Sequence, residues 1–389
     1  MGKIMAITTK KVDLDSIFIF LFLVFFPFGQ IIRVGIIQPI DLVVGAAAIY
    51  SVFVNLKKPK IFRYLNLFLI FAFVPWLFSI FIFKSTGIFY GLLYLTRLAA
   101  YFYFLIYTWN FAKQKGNKEL LIDSLFAISL VSAFFGWIQF FWFSDIKPFF
   151  VWGWDMHLFR LVGTFLDPTF LGIIIVFGLV ISINRFIDSK NWKFALTTFF
   201  LALSLAFTYS RASYLAFFVS LFVIAINKHK IKQVVVGIFI FSALVFLLPT
   251  SRNHSIELFR TFSVEARIED YNTTLQIFSK FPIFGVGYDN ICLAYQKYIG
   301  VQSFSSHACS GSDSSLLYIL ATTGIVGFAV FTLGVTMIAK SLKTSPELQI
   351  LSASFAALLI HSLFSNSLVY SWVLGYIVIL LSVNLGREI

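Results

Sequence analysis

Apolar runs of bilayer length recur from one end of the chain to the other, separated by short polar and basic clusters. Taken as helices, they fall at 15–32, 37–56, 64–83, 88–111, 119–143, 167–186, 193–209, 211–227, 232–249, 315–340, 347–366 and 369–386. Most reach the roughly 17–25 residues that a hydrocarbon core requires. Water is absent there, so the backbone of each run must satisfy its own hydrogen bonds, and an isolated run does so as a helix. The pattern therefore predicts an all-α polytopic membrane protein with about twelve transmembrane helices. The weakest boundary is at Ser210, a single polar residue between two apolar runs, and Pro27 interrupts the first run. Three segments follow: an N-terminal bundle over 1–248, an extracytoplasmic loop over 249–314 and three further spans over 315–389.

Composition removes the competing picture of two or three soluble domains. Hydrophobic residues make up 59% of the 389 and charged residues 12%, about half of the roughly 25% that a soluble surface needs. The 51 Phe suit a lipid-facing and helix-packing role. A net charge of +13 invites a nucleic-acid partner, but no run of five basic residues forms a binding stripe, and no nucleic acid is expected. Most of the 30 Lys and Arg lie instead in alternate short loops, such as Lys57–Arg63, Lys113–Lys118 and Lys228–Lys232. Basic loops remain on the cytoplasmic side, which places both termini inside and 249–314 outside. Lys3, Lys10 and Lys11 precede the first apolar run as in a signal peptide, but no small-x-small cleavage site follows, so the run is expected to remain as a span.

The outer loop has the only soluble-domain character. Residues 264–280 alternate Ala266, Tyr271, Leu275 and Phe278 with Glu265, Glu269 and Asp270, an amphipathic helix ended by Lys280-Phe281-Pro282. Gly285-Val286-Gly287 forms a tight turn, and 290–299 a second short helix. Both cysteines, Cys292 and Cys309, fall in this loop, where an oxidising compartment permits a disulfide; two separate thiols are the alternative.

Candidate chemistry is sparse. The five His have no metal-ligand spacing. The Gly285-x-Gly287 pair lacks the third glycine of a dinucleotide motif, and no phosphate-binding loop exists. Neither a metal nor a cofactor is expected. What remains are cations at the outer face: Arg160 ahead of Leu161-Val162-Gly163-Thr164-Phe165, Arg211 in Thr208-Tyr209-Ser210-Arg211-Ala212, and Arg267 in the loop helix. Arginine keeps its charge and forks onto phosphate oxygens, so three such groups can grip a lipid-linked diphosphate. Plainer roles compete: an interfacial anchor for Arg211, an ion pair with Glu265 or Asp270 for Arg267, loop packing for Arg160. Arg97 lies inside a span, where a charge is costly and faces protein or a wet cavity. Asp313 stands at the outer mouth of a span whose Gly324-x-x-Gly327 permits close helix approach. It either orients or deprotonates an acceptor hydroxyl, or it, or Ser312, merely caps the helix.

In chain order these residues read Arg160-x-x-Gly-Thr-Phe, Ser210-Arg-Ala, an arginine-bearing loop helix, Pro282-Ile-Phe-Gly-Val-Gly287, and Asp313-Ser-Ser-Leu-Leu-Tyr-Ile-Leu-Ala-Thr-Thr-Gly324. The series, over about 160–327, resembles the O-antigen ligase/polymerase superfamily. The resemblance implies a metal-independent glycosyltransferase of the bacterial inner membrane that uses an undecaprenyl-diphosphate-linked glycan donor and a glycan acceptor on the periplasmic side. Arg211 and Arg267 match positions that hold the diphosphate, and Arg160 matches a motif arginine of less defined role. Asp313 becomes the acceptor-side base, with His307 in reserve. Ligases of the family carry His where this chain has Asp313, which favours a polymerase of O-antigen, capsule or exopolysaccharide repeat units over a ligase acting on lipid A-core. A lipid-linked glycan flippase is the non-enzymatic alternative. Chain-length regulator and flippase proteins are the implied partners.

Overall fold

The computed structural model describes residues 14–152, 154–249, 262–300, 311–342 and 345–385. His307 and Cys309 lie outside the described residues. The helices are Leu14–Phe25 (α1), Pro39–Phe53 (α2), Phe62–Phe83 (α3), Ile88–Ala112 (α4), Asn117–Trp142 (α5), Pro168–Ser189 (α6), Trp192–Phe207 (α7), Arg211–Lys228 (α8), Ile231–Leu247 (α9), Phe262–Lys280 (α10), Ile291–Tyr298 (α11), Ser315–Ser341 (α12), Pro346–His361 (α13) and Ser371–Asn384 (α14). Six of them, α3, α4, α5, α6, α8 and α12, are long and apolar enough to cross a membrane by length and composition. The protein is all-α among the described residues, and its long apolar helices are those of an integral membrane protein.

Helix α6 is apolar all round, and such a helix belongs inside a bundle. It packs against α5, α7, α8 and α13, and Leu171, Ile173, Ile174, Ile175, Val176 and Phe177 are all fully buried. The outward faces of α3 and α9 present Phe78, Phe81, Phe239, Ile240 and Phe246, an apolar surface that a soluble protein would hide and a bilayer accepts. Residues of the C-terminal spans share this core: α13 lies along α8 and α14 along α4.

Three expectations change. The first span stops at Phe25 because Pro27 cannot continue the ladder; a tight turn over Phe26–Phe28 and Gly29 at φ 53° turn the chain away. The span expected at 347–366 ends at His361, and 362–370 crosses back to α14 as a loop. The close approach at Gly324-x-x-Gly327 is made by a loop rather than by a helix. Helix α12 breaks at Gly324 (φ 68°, ψ −174°), and Pro282–Gly287 enters the break. Val286 N–H donates to the Ala321 carbonyl and Gly287 N–H to Thr322, both at 3.0 Å. In return the Ile325 and Val326 N–H groups reach the carbonyls of Pro282 and Ile283 at 2.9 and 3.3 Å. Four peptide groups of α12 at the break are thereby paired, as a low-dielectric setting demands. A Cβ on Gly324 would strike the Ile283 carbonyl, and one on Gly285 (φ 72°) the Thr322 carbonyl carbon.

Gly324→Ala should therefore cost at least about 1–3 kcal/mol from its left-handed backbone alone, with the steric clash in addition. Gly45→Ala, in open space on α2, should be neutral or slightly stabilising. Thermal unfolding of the detergent-purified variants separates the two; equal melting temperatures would mean that the loop does not occupy the break.

Candidate functional site

The site is built around the start of α8. The least certain boundary in the sequence is a real one: α7 ends at Phe207, and Ser210 caps α8, its Oγ accepting the Ser213 N–H. Arg211 is thus the first residue of α8, where the helix dipole and open N–H groups already favour an anion. Arg160 fixes this turn. It is buried, 3% exposed, and donates from Nε to the Thr208 carbonyl at 2.9 Å and from Nη2 to the Tyr209 carbonyl at 3.0 Å. A cation on the last carbonyls of a helix answers both their charge and their missing partners. The structure thus separates Arg160, which holds the peptide ahead of Arg211, from the two arginines nearer the surface.

Beneath α8, Ser213 Oγ lies 3.2 Å from His361 Nε2, and His361 Nδ1 lies 2.6 Å from Ser367 Oγ. His361 is fully buried. In the sequence it was one of five histidines without a ligand pattern; only the pairing of α13 with α8 brings it under the site.

Helix α10 packs against α12. Arg267 sits in its first half, close enough to Arg211 for the two positive charges to repel, and its field also reaches His361 and Tyr271. Asp270, one expected partner of Arg267, turns elsewhere: its Oδ2 accepts from Ser312 Oγ and from the Asp313 N–H, both at 2.9 Å. Arg267 is in none of the ion pairs found among the described residues, which join Arg97 to Asp41, Arg185 to Asp123 and Lys228 to Asp188. The capping role expected of Asp313 or Ser312 belongs to Ser314, whose Oγ accepts the Leu317 N–H at the start of α12. Tyr271 donates to the Leu363 carbonyl and lies within the fields of both Arg267 and Asp313. Arg267 thus lies within electrostatic reach of Arg211, and Tyr271 within that of both Arg267 and Asp313, which brings residues of three separate elements near one another.

Arg97, mid-way along α4, is paired with Asp41 at 2.8 Å and donates to the Ile36 carbonyl, so its charge is answered by protein away from this cluster. Cys292 is buried at the start of α11.

Residues 196–332 match the family model described as O-antigen ligase. Over that segment the chain is similar to the O-antigen ligase/polymerase superfamily. No curated protein matches it. The matched segment runs from α7 into α12 and contains Arg211, Arg267, the Pro282–Gly287 loop and Asp313; Arg160 and His361 lie beyond it. The matched segment thus carries both Arg211 and Arg267.

Arg160→Ala leaves the Thr208 and Tyr209 carbonyls unpaired. Two hydrogen bonds to a charged group at about 1.5–3 kcal/mol each set the scale of the loss, visible as a lower melting temperature. Arg160→Lys should recover only part of it, because an ammonium cannot fork onto both carbonyls; full recovery would mean that a point charge is enough.

The loop that enters α12 carries a second acid, Asp289, whose carboxylate accepts from Tyr318 Oη at 2.6 Å. Burial pushes its pKa from the ordinary 3.8 up to about 7, against the lowering effects of the Tyr318 hydrogen bond and the Arg97 charge. A carboxyl raised on folding contributes its full stability below the unfolded value and loses it as pH rises towards the folded one. Asp289→Asn should therefore gain melting temperature on the wild type at about pH 8 relative to about pH 5. A gap independent of pH would remove Asp289 from this role.

Proposed function

We propose that the chain is a polymerase that joins undecaprenyl-diphosphate-linked oligosaccharide repeat units at the outer leaflet, with twelve spans, both termini in the cytoplasm and 249–314 outside. The observation that carries this is the approach of Arg211 and Arg267 to each other beside Asp313. Two like charges repel, so a site that brings them together is arranged for an anion. A diphosphate supplies enough charge for both, and α8 adds its N-terminal dipole.

The chemistry follows from the donor. The anomeric carbon of the donor sugar carries a diphosphate that is already a good leaving group. As the acceptor hydroxyl oxygen forms its bond to that carbon, the carbon–oxygen bond to the diphosphate breaks and negative charge grows on the leaving oxygens. Arg211 and Arg267 stabilise that charge without needing to reorganise. Asp313 takes the hydroxyl proton, and the capping of α12 falls to Ser314 instead. The diphosphate leaves on its prenyl carrier. Arg160 acts one step back by holding the Thr208–Tyr209 peptides, and hence Arg211, in place. Asp313, where ligases carry His, supports polymerisation. The description of the matched family supports the second reading, a ligase that transfers the glycan to lipid A-core or another acceptor.

Deleting the gene and resolving the surface glycan on a gel separates the two. Loss of a polymerase leaves single repeat units attached, whereas loss of a ligase leaves none attached. Complementation then tests the residues. Arg211→Lys and Arg267→Ala should each nearly abolish polymerisation with normal membrane insertion, because an ammonium does not replace the fork. Asp313→Asn should lower turnover by roughly 10²–10⁴-fold. Near-normal chains from all three variants would remove the arginine pair and Asp313 from the reaction.

A further inference from the structure

A polymerase of this kind handles two lipid-linked molecules, and the arginine pair accounts for one. On the other side of the loop between α13 and α14 lies a cavity of about 780 Å³, lined by Gln38, Tyr94, Arg97, Trp154, Asp289 and Asn366 among others. Its character differs from that of the arginine site. The charge of Arg97 is met by Asp41 at 2.8 Å, and the Arg33 guanidinium lies over the Trp154 ring. The walls are aromatic, with Tyr370 stacked on Phe170 at 3.7 Å between centroids. Two buried amide oxygens among the lining residues, Gln38 Oε1 and Asn366 Oδ1, have no hydrogen-bond partner among the described residues, and Gln38 is only 8% exposed. An unpaired buried acceptor costs about 1–3 kcal/mol, and a hydroxyl-bearing ligand would remove that cost. Flat aromatic faces, amide acceptors and balanced charge suit the apolar faces and hydroxyl edges of uncharged sugar rings.

The cavity does not end in protein. It shares Leu98, Val369 and Leu374 with a second void of about 700 Å³, which continues between α3, α4, α12, α13 and α14 past Phe331 and Gly334 to Leu342 and Leu381. That groove is almost wholly apolar. A polar chamber at the outer end that opens into a hydrocarbon groove along the bundle is shaped for one amphiphile with a glycan head and a long hydrocarbon tail. The chamber also borders the reacting end: a Cβ on Gly311, two residues before Asp313, would lie 3.0 Å from Asn366 Nδ2.

We infer that this pair of voids is the acceptor site: a second lipid-linked oligosaccharide lies with its sugars in the cavity and its prenyl chain in the groove, its free sugar end passing Asn366 towards Asp313. The assignment rests on the polymerase reading above.

The test uses the full-length protein with a photo-crosslinking benzoylphenylalanine in place of Phe331. The probe is undecaprenyl-diphosphate-linked single repeat units extracted from a strain lacking this gene. The prenyl-linked probe should crosslink at 331, and still do so with Arg211→Ala, because the two sites are separate. Gly334→Phe should block the crosslink by filling the groove; Gly334→Ala should not, since a Cβ there meets only Tyr64, at 3.8 Å. Asn366→Ala should raise the acceptor KM by about tenfold with kcat little changed, the scale of one lost hydrogen bond. Crosslinking to ordinary phospholipid alone, or a wild-type acceptor KM in both Gly334→Phe and Asn366→Ala while Arg211→Ala is inactive, would overturn the acceptor site and leave the polymerase standing. An active Arg211→Ala would instead overturn the polymerase mechanism itself.

Discussion

A helix that breaks inside a bundle exposes peptide groups that hydrocarbon cannot satisfy, and α12 breaks at Gly324. The break survives because Pro282–Gly287 supplies both donors and acceptors to it. The packing of the neighbouring segments depends on this exchange. It draws the end of α10 and the start of α11 down against α12, which places Asp270 over the entry to α12 and Asp289 against Tyr318. Glycine is required on both sides of the junction, since a Cβ on Gly324 or Gly285 would collide with the backbone of the other segment.

The same logic of paired backbone groups organises the arginine site. Arg160 satisfies two carbonyls beyond α7, Ser210 satisfies an N–H at the head of α8, and Ser314 does the same for α12. These contacts fix the turns that carry Arg211 and Asp313. In the proposed mechanism Arg211 and Asp313 thus stand at capped helix starts, the kind of fixed placement that electrostatic preorganisation requires.

Charge is arranged in two ways in the bundle. Around Arg97 it is balanced locally by Asp41. At the start of α8 two positive charges, Arg211 and Arg267, come close enough to repel. Balanced charge beside aromatic walls suits a neutral glycan, and concentrated positive charge suits a diphosphate. The proposed joining of two lipid-linked molecules would use both environments.

Hydropathy alone determined the all-α membrane class, because the cost of burying an unpaired peptide group is so large that an apolar run of sufficient length can only be a helix. The amphipathic pattern at 264–280 likewise anticipated α10, and the order of the motifs pointed to the superfamily. The arginines were visible as residues but not as a pair: Arg160, Arg211 and Arg267 looked alike in the sequence, and only packing set the first on two carbonyls and brought the other two within electrostatic reach of each other. Asp313 could not be told from a cap until Ser314 was seen in that role. His361 and Asn366 carried no local signal at all. Periodicity is a property of one segment and survives in the sequence. A site made of side chains from α8, α10, α12 and α13 depends on which helix packs against which, and only the tertiary structure decides that.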